Sequence, residues 1–426
     1  MAIMALVFAG TILLGFPIAF VLGLSGLVHF IAIGNPMFLD VMVNRIFSGI
    51  DNIGLMAIPF FILAGEFMNV GGVTKRIVDF VREIVGFVSG GLAYAVVIIG
   101  ALLSSILGST NAVASILGSA LVPEMVDDGY PDDFSASLVA STSMLGTVLP
   151  PSVTMIFFSV ITGVSVGGLF LAGIVPGILL ACGFALNIGL YSKFKRKLPK
   201  NESFKFNAIR FAKAFAYAIP ALIVPVILIG GILSGVFTPS ESGAVSVLAA
   251  FLASLFYRSF DFKKLPGMFV RSAKASAGIF IIIGFGNVIG WSFAIDGIPQ
   301  MIAGAILSIS DNPTIIILVM LFLLLVIGLF MESTAKTLLL APVTMPIALG
   351  IGMDPVHFGV IFCIMMTLAL ITPPVGVTLF VTSNITGVSV NRMSVAMVPF
   401  AAMAMIITTI LAFMPDLVLF IPRMLQ

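Results

Sequence analysis

Charge is what this chain most conspicuously lacks. Of its 426 residues only 9% are Asp, Glu, Lys or Arg, where an ordinary globular domain carries about 25%. Sixty per cent are hydrophobic before the 42 glycines are counted, and mean hydropathy is +1.25. Too little polar surface remains to cover a soluble fold, which implies an all-α polytopic membrane protein. Two cysteines, Cys182 and Cys363, exclude a disulfide framework. Two histidines, His29 and His357, leave little room for a His-rich metal site. A net charge of +2 offers no basic footprint for nucleic acid. No GxxxxGK[ST] run is present, which argues against ATP hydrolysis by a P-loop. The first cation is Arg45, so the basic start of a cleavable leader is missing.

What is there is a series of apolar runs. A bilayer helix needs about 20 apolar residues. Spans are expected near 3–33 (long, broken at Gly15-Phe16-Pro17), 52–73, 134–165, 168–191, 214–234, 241–257, 275–295, 356–386 and 395–414. Two further stretches, 88–126 and 313–350, are too long for one crossing and carry polar residues at their centres: Gly108-Ser109-Thr110-Asn111 and Glu332-Ser333-Thr334. Both read as re-entrant hairpins, led into by interfacial helices at 74–86 and 298–311. Lysine and arginine crowd 192–213, 258–274 and 74–83, and the positive-inside rule puts all three in the cytoplasm. Hairpin one then opens to the cytoplasm and hairpin two to the outside. The acidic loop 124–133 falls inside with the basic segments and reads as a solvated turn.

The two halves repeat. Thr147-Val148-Leu149-Pro150-Pro151 aligns with Leu370-Ile371-Thr372-Pro373-Pro374, and Thr-Gly-Val-Ser-Val recurs letter for letter at 162–166 and 386–390. Pro123 aligns with Pro346 and Gly129 with Gly352, all at offsets of 223 or 224. The expected layout is a first repeat over 1–191, a basic cytoplasmic connector at 192–213 and a second repeat over 214–426. Inverted repeats with discontinuous helices mark secondary transporters that bind near the bilayer midplane.

The double prolines fix where the helices break. Each proline removes one backbone donor, at a cost of about 3 kcal/mol. Pro150 and Pro151 deprive the carbonyls of Gly146 and Thr147; Pro373 and Pro374 deprive those of Ala369 and Leu370. Exposed carbonyls at membrane depth are tolerated only inside protein or beside a wet cavity. Neither break carries Asp, Glu or His, so neutral oxygens suit Na⁺ better than a proton. Ser, Thr and Asn at the hairpin bends are N-cap residues, and helix N-termini at midplane attract a carboxylate. Candidate cation ligands are therefore Ser105, Ser109, Asn111, Gly146, Thr147 and Pro150 in one half, and Glu332, Ser333, Ala369, Leu370, Thr372 and Gly376 in the other. Candidate substrate contacts are Thr110, Pro151, Ser152, Thr154, Thr334, Lys336 and Pro374. Glu332 and Lys336 stand four apart and can pair on one helical face; Lys336 can instead meet an anionic substrate.

Two rival classes remain at this point: a substrate-gated ion channel, and an intramembrane hydrolase built on Gly23-Leu24-Ser25-Gly26 with His29. The second is weak, because Ser25 and His29 lie on one helix.

Gly235-Val236-Phe237-Thr238-Pro239-Ser240-Glu241, with Leu149-Pro150-Pro151-Ser152 and Ile371-Thr372-Pro373-Pro374-Val375-Gly376, resembles the large membrane subunit of tripartite ATP-independent periplasmic (TRAP) transporters over essentially the whole chain. The resemblance implies a multi-pass protein of the bacterial inner membrane and not an enzyme. It implies Na⁺-driven uptake of an organic acid, a periplasmic binding protein that delivers it, and a small four-helix membrane subunit, here a separate chain. The sequence is most similar to the sialic-acid branch. The expected motion is an elevator, in which hairpins and broken helices move against a scaffold.

Overall fold

Nearly every apolar stretch resolves into helix, and no strand occurs among the described residues of the computed structural model. Those are all residues except 1, 35, 87, 200–206, 259, 309, 330, 332, 374–375 and 426, with backbone alone for Ala2, Thr74, Ile106, Ala303, Leu307 and Thr334. The order is α1 (Ala2–Leu13), α2 (Ile18–Ile33), α3 (Met37–Ile50), a 3-10 turn (Ile53–Met56) into α4 (Ala57–Val70), α5 (Val73–Val85), α6 (Gly91–Leu107), α7 (Thr110–Asp127), α8 (Asp132–Ser143) with a 3-10 turn (Met144–Thr147), α9 (Val153–Thr162) and α10 (Val166–Phe194). The second half continues with α11 (Ala208–Leu233), α12 (Pro239–Phe256), α13 (Leu265–Ile295), α14 (Ile298–Leu307), α15 (Pro313–Gly328), α16 (Ser333–Gly350), α17 (Pro355–Ile371), α18 (Val377–Thr386) and α19 (Val390–Ala412), then two short helical turns. Among the described residues, six helices are long and apolar enough to cross a membrane: 53–70, α10, α11, α12, 262–295 and α19.

The N-terminal expectation needs correcting. Residues 3–33 are two helices: Gly15 takes φ 78° before Pro17, and α1 packs back against α2. Hydropathy alone cannot tell a kinked span from a hairpin. An unexpected helix follows, α3, whose Asp40, Asn44 and Arg45 dilute its apolar character. Both α2 and α3 pack along α13.

Helices α5–α10 and α14–α19 correspond element by element. Paired glycines take left-handed backbone at matching places: Gly72 and Gly297, Gly129 and Gly352, Gly163 and Gly387. The halves run in opposite directions. Helix α8 lies parallel to α19, with the Ser137 hydroxyl on the Met393 carbonyl (3.0 Å), the Ser141 hydroxyl on Met397 sulfur (3.0 Å) and Asp132 paired with Arg392. The start of α17 meets the start of α10 through Val356 and Gly168. Helices α10 and α19 are themselves antiparallel, since Gly183 faces Ile407 and Asn187 donates to the Pro399 carbonyl (2.8 Å). Hence α8 and α17 start at opposite ends of the bundle. Each hairpin also reaches across: α7 packs on α18, and α16 on α9.

The basic segments gather at one end. Arg210 pairs with Glu83 (2.6 Å), Arg76 lies over Tyr217 and Tyr257, and the Gly90 amide donates to the Pro199 carbonyl (2.9 Å). Helix α5 is amphipathic: Val73, Ile77 and Val81 are buried in one stripe, while Lys75 is exposed and Arg76, Asp79, Arg82 and Glu83 are half-buried at its flanks. Burial pushes the Tyr130 hydroxyl at this end up to about 12.

At the opposite end, the Thr-Pro-Ser-Glu element proves to be a helix cap. The Thr238 hydroxyl accepts from the Glu241 amide and the Glu241 carboxylate accepts from the Thr238 amide (2.8 Å), a capping box with Pro239 in the first turn. The Ser240 hydroxyl reaches the Ile53 carbonyl (3.0 Å). That motif holds α12 against the entry to α4.

Candidate substrate and ion site

Both breaks form where the prolines stand. Repeat one tightens to 3-10 over Met144–Thr147, then runs non-helically to Val153; repeat two stays α-helical to Ile371 and resumes at Val377. Each break is seated against small residues. Val148 and Leu149 lie on Gly173 and Gly177 of α10, where a Cβ would come within 2.6 Å of the Val148 carbonyl oxygen and 2.4 Å of the Leu149 side chain. Glycine at such contacts lets backbones approach closely.

Hairpin one's tip docks on its own break. A Cβ on Gly146 would lie 3.0 Å from the Ser109 carbonyl, and one on Gly108 would lie 2.8 Å from the Pro151 oxygen. The Val153 amide donates to the Gly108 carbonyl (3.3 Å). A run of hydroxyls then links the two repeats: Thr110 to Thr147 (3.2 Å) and Thr147 to Thr367 (2.5 Å). The Thr378 hydroxyl donates to the Asn111 side-chain oxygen (2.9 Å), tying the same tip to α18. Ser109 occupies the N-cap position of α7 with φ −139°, yet its side chain makes no capping bond.

These elements wall a cavity of about 700 Å³. Its lining brings together Ser109, Thr110 and Asn111 of hairpin one, Ser333 of hairpin two, Thr147 and Leu370 of the breaks, and Thr154 of α9. The opposing wall comes from α4 and α13, including Phe61, Glu66, Asn69 and Lys274. Glu66 is paired with Arg271 (2.7 Å). Asn69 and Lys274 are cavity-lining residues that sequence reasoning missed. Lys274 was counted only as an orienting charge; its register on α13, level with the end of α4, could not be read from spacing. Ser333 is buried, and its hydroxyl has no hydrogen-bond partner among the described residues.

Other expected residues are turned elsewhere. The Ser152 hydroxyl donates to the Thr147 carbonyl (2.6 Å) and accepts from the Met155 amide (3.2 Å). It therefore caps α9 and occupies a carbonyl expected to be open to an ion. Thr372 bonds back to Leu368 (2.7 Å) and Ser105 back to Ala101 (3.0 Å), the usual way a helix satisfies such hydroxyls. The Ala369 carbonyl takes the Thr372 amide (3.4 Å). Pro150 and Pro151 shape the break without lining the cavity, and Gly376 takes φ 27° ahead of α18. Lys336 is wholly buried, outside the cavity lining, with its ammonium on the carbonyls of Gly328 (3.2 Å) and Met366. It is not placed to meet a substrate. Glu332, Pro374 and the Thr334 side chain lie outside the described residues.

The hydrolase pattern fails on geometry. The Ser25 hydroxyl donates to the Val21 carbonyl (2.6 Å), while His29 stands 3.3 Å from Asp296.

The family description "tripartite ATP-independent periplasmic transporter, DctM component" matches residues 5–417. The chain belongs to this family of TRAP transporter permeases. It is 35% identical over 423 residues to the sialic acid TRAP transporter large permease SiaM of Vibrio cholerae, covering 97% of this chain and 96% of that one. It is 36% identical over 405 residues to the C4-dicarboxylate TRAP transporter large permease DctM of Pseudomonas aeruginosa, covering 95% and 94%. Among solved structures, the Alcanivorax borkumensis YdaH transporter shares the fold, with a TM-score of 0.59 at 14% identity over 88% of this chain and 87% of that one. The TRAP permease is thus a multi-pass membrane transporter rather than an enzyme, and one component of a tripartite system.

Proposed function

We propose that this TRAP permease imports an organic acid across the bacterial inner membrane, driven by Na⁺. The observation that carries the reading is the convergence of both hairpin tips and both breaks on one cavity. Its ion ligands are neutral hydroxyls and carbonyls, and its scaffold wall carries Lys274. Neutral oxygens leave the cation's charge uncompensated by the protein, so the net charge moved per cycle is the number of Na⁺ ions less the negative charge of the solute. One Na⁺ entering at 100 mV supplies about 2.3 kcal/mol before its concentration gradient is counted. An anionic headgroup at the Ser109 and Ser333 helix starts, with Lys274 across from it, suits a carboxylate. Sialic acid and C4-dicarboxylates, named for the relatives, are the first cargoes to test.

Hairpins and broken helices form the mobile part of an elevator, with α4, α11, α12 and α13 as scaffold. The basic end faces the cytoplasm, and Asn69 and Lys274 lie toward it, one residue before the end of α4 and nine after the start of α13. A periplasmic binding protein supplies the solute, and a small four-helix membrane subunit completes the assembly.

The test is uptake into proteoliposomes with a panel of binding proteins and ligands, with and without Na⁺. Uphill accumulation that needs Na⁺ is the expected result and separates this reading from a channel. Full activity in choline buffer with a proton gradient alone would sink the ion assignment. Labelling of Lys197→Cys from outside intact cells would reverse the orientation.

A further inference from the structure

Lys336 is an ionisable side chain with no exposed surface, in the return helix of hairpin two. An ammonium is three donors and no acceptor. Its nitrogen sits on the carbonyl oxygens of Gly328, at the end of α15, and Met366, in α17 near the break. A hairpin carbonyl and a broken-helix carbonyl facing one cation is the arrangement expected of an ion site, and here the cation is covalently attached.

Repeat one shows what stands at the matching place. At the offset of 223, Lys336 corresponds to Val113, Gly328 to Ser105 and Met366 to Ser143. Val113 is buried and brings no charge. Beside those positions lie Ser104 and Thr142, whose hydroxyls are fully buried without a hydrogen-bond partner among the described residues. Gly100, one turn before Ser104, meets the Thr142 side chain, so both hydroxyls belong to the α6–α8 seam. Their counterparts in repeat two are Ile327 and Met365, which carry no oxygen in the side chain. At these positions repeat one has two buried hydroxyls with no partner among the described residues and an apolar side chain, Val113; repeat two has an ammonium and two side chains without oxygen, Ile327 and Met365.

We propose that Lys336 is the resident cation of hairpin two, standing where repeat one takes a mobile ion. Only the repeat-one pocket then exchanges Na⁺, and hairpin two closes on its lysine without waiting for an ion. This revises the expectation of one Na⁺ in each half, and it rests on the Na⁺ reading given above. It has a functional consequence: each cycle is coupled to fewer ions than a permease with two open pockets would use, so the gradient it can sustain is smaller.

The test reads Na⁺ dependence in the reconstituted transporter with its binding protein. Lys336→Ala empties the hairpin-two cage. Uptake at low Na⁺ should fall at least about tenfold, recover at high Na⁺, and show a Hill coefficient raised by about one. Lys336→Arg keeps the charge and should keep the wild-type coefficient. An Ala variant with unchanged Na⁺ dependence, or one that docks its partners yet is not rescued by Na⁺, overturns the proposal. Should Lys336→Ala not fold, Ser104→Ala combined with Thr142→Val decides the matter on an intact Lys336. The response to Na⁺ should then disappear altogether. A residual response of normal affinity would reveal a second mobile ion and overturn the proposal. Absence of any Na⁺ response in the wild type would instead refute the coupling-ion reading, a distinct outcome.

Discussion

Hairpin one meets its break through Gly146, on the broken helix; hairpin two meets its break through Gly328, on the hairpin. The small residue changes sides. A Cβ on Gly146 would press on the Ser109 carbonyl at 3.0 Å, whereas its counterpart Ala369 already has a Cβ, which a side chain on Gly328 would meet at 2.7 Å. Both tips carry a hydroxyl, Ser109 and Ser333, but hairpin two adds a buried lysine where hairpin one has Val113. The lesson is that a structural repeat constrains where backbones touch more tightly than which atoms they present.

The largest effects should come from spoiling those contacts. Gly146→Val and Gly328→Val each force a tip off its break, and overpacking of this kind costs about 1–3 kcal/mol. Uptake should fall by about 10- to 100-fold in both. Expression and membrane insertion are the controls. If one variant transports normally, that hairpin does not close on its break and the two halves are not mechanically equivalent.

Next comes the wall shared by both repeats. Lys274→Gln removes the cation facing the tips. A charge-assisted hydrogen bond is worth about 1.5–3 kcal/mol, so KM for an anionic solute should rise about tenfold or more, with the Na⁺ requirement unchanged. An unchanged KM would place the solute's charge elsewhere.

The hydroxyl tips sharpen the comparison further. Ser109→Ala and Ser333→Ala each remove one oxygen, worth about 1 kcal/mol, so half-saturating Na⁺ should rise about fivefold where the hydroxyl is a ligand. The resident-cation reading makes the pair unequal: Ser109→Ala should shift Na⁺ dependence and Ser333→Ala should act on solute affinity. Equal Na⁺ shifts would restore two equivalent ion pockets.

Much of this architecture was legible before any coordinates. Long apolar runs with polar centres gave the hairpins, Pro150-Pro151 and Pro373-Pro374 gave the breaks, and Thr-Gly-Val-Ser-Val at one offset gave the repeat. Those signals are local, because proline and glycine act on their own backbone. What escaped depends on register. Hydropathy cannot show that α1 folds back on α2, nor that amphipathic α3 exists to cover α13. The spacing of Glu332 and Lys336 says they share a face but not where a flexible four-carbon stem ends, and the ammonium lies on carbonyls instead of in the cavity. Ser152 reads as a substrate contact because it is a hydroxyl beside a broken helix, but its proton goes to the Thr147 carbonyl (2.6 Å) and its oxygen caps α9.

The smallest expected effect lies at the ends of the repeats. Asp132 opens α8 and pairs with Arg392 at the start of α19 (2.5 Å). Their counterparts across the repeat are Pro355 and Gly168, neither of which carries a charge. The Arg392 hydrogen bonds hold the Asp132 carboxyl below its ordinary value of 3.8. A depressed folded-state pKa stabilises at pH above that ordinary value and is lost as pH falls through the folded one. The pair is more than a third exposed on both sides, so solvent screening keeps its contribution small. Asp132→Asn should therefore lower Tm slightly at pH 7, and the gap from wild type should close as pH drops below the aspartate range. Added salt should shrink it too. A gap that persists in acid would mean that Asp132 acts through packing that does not depend on its charge, and neither through Arg392 nor through the Asp133 amide, whose hydrogen bond to the carboxylate (2.8 Å) also favours the ionised form.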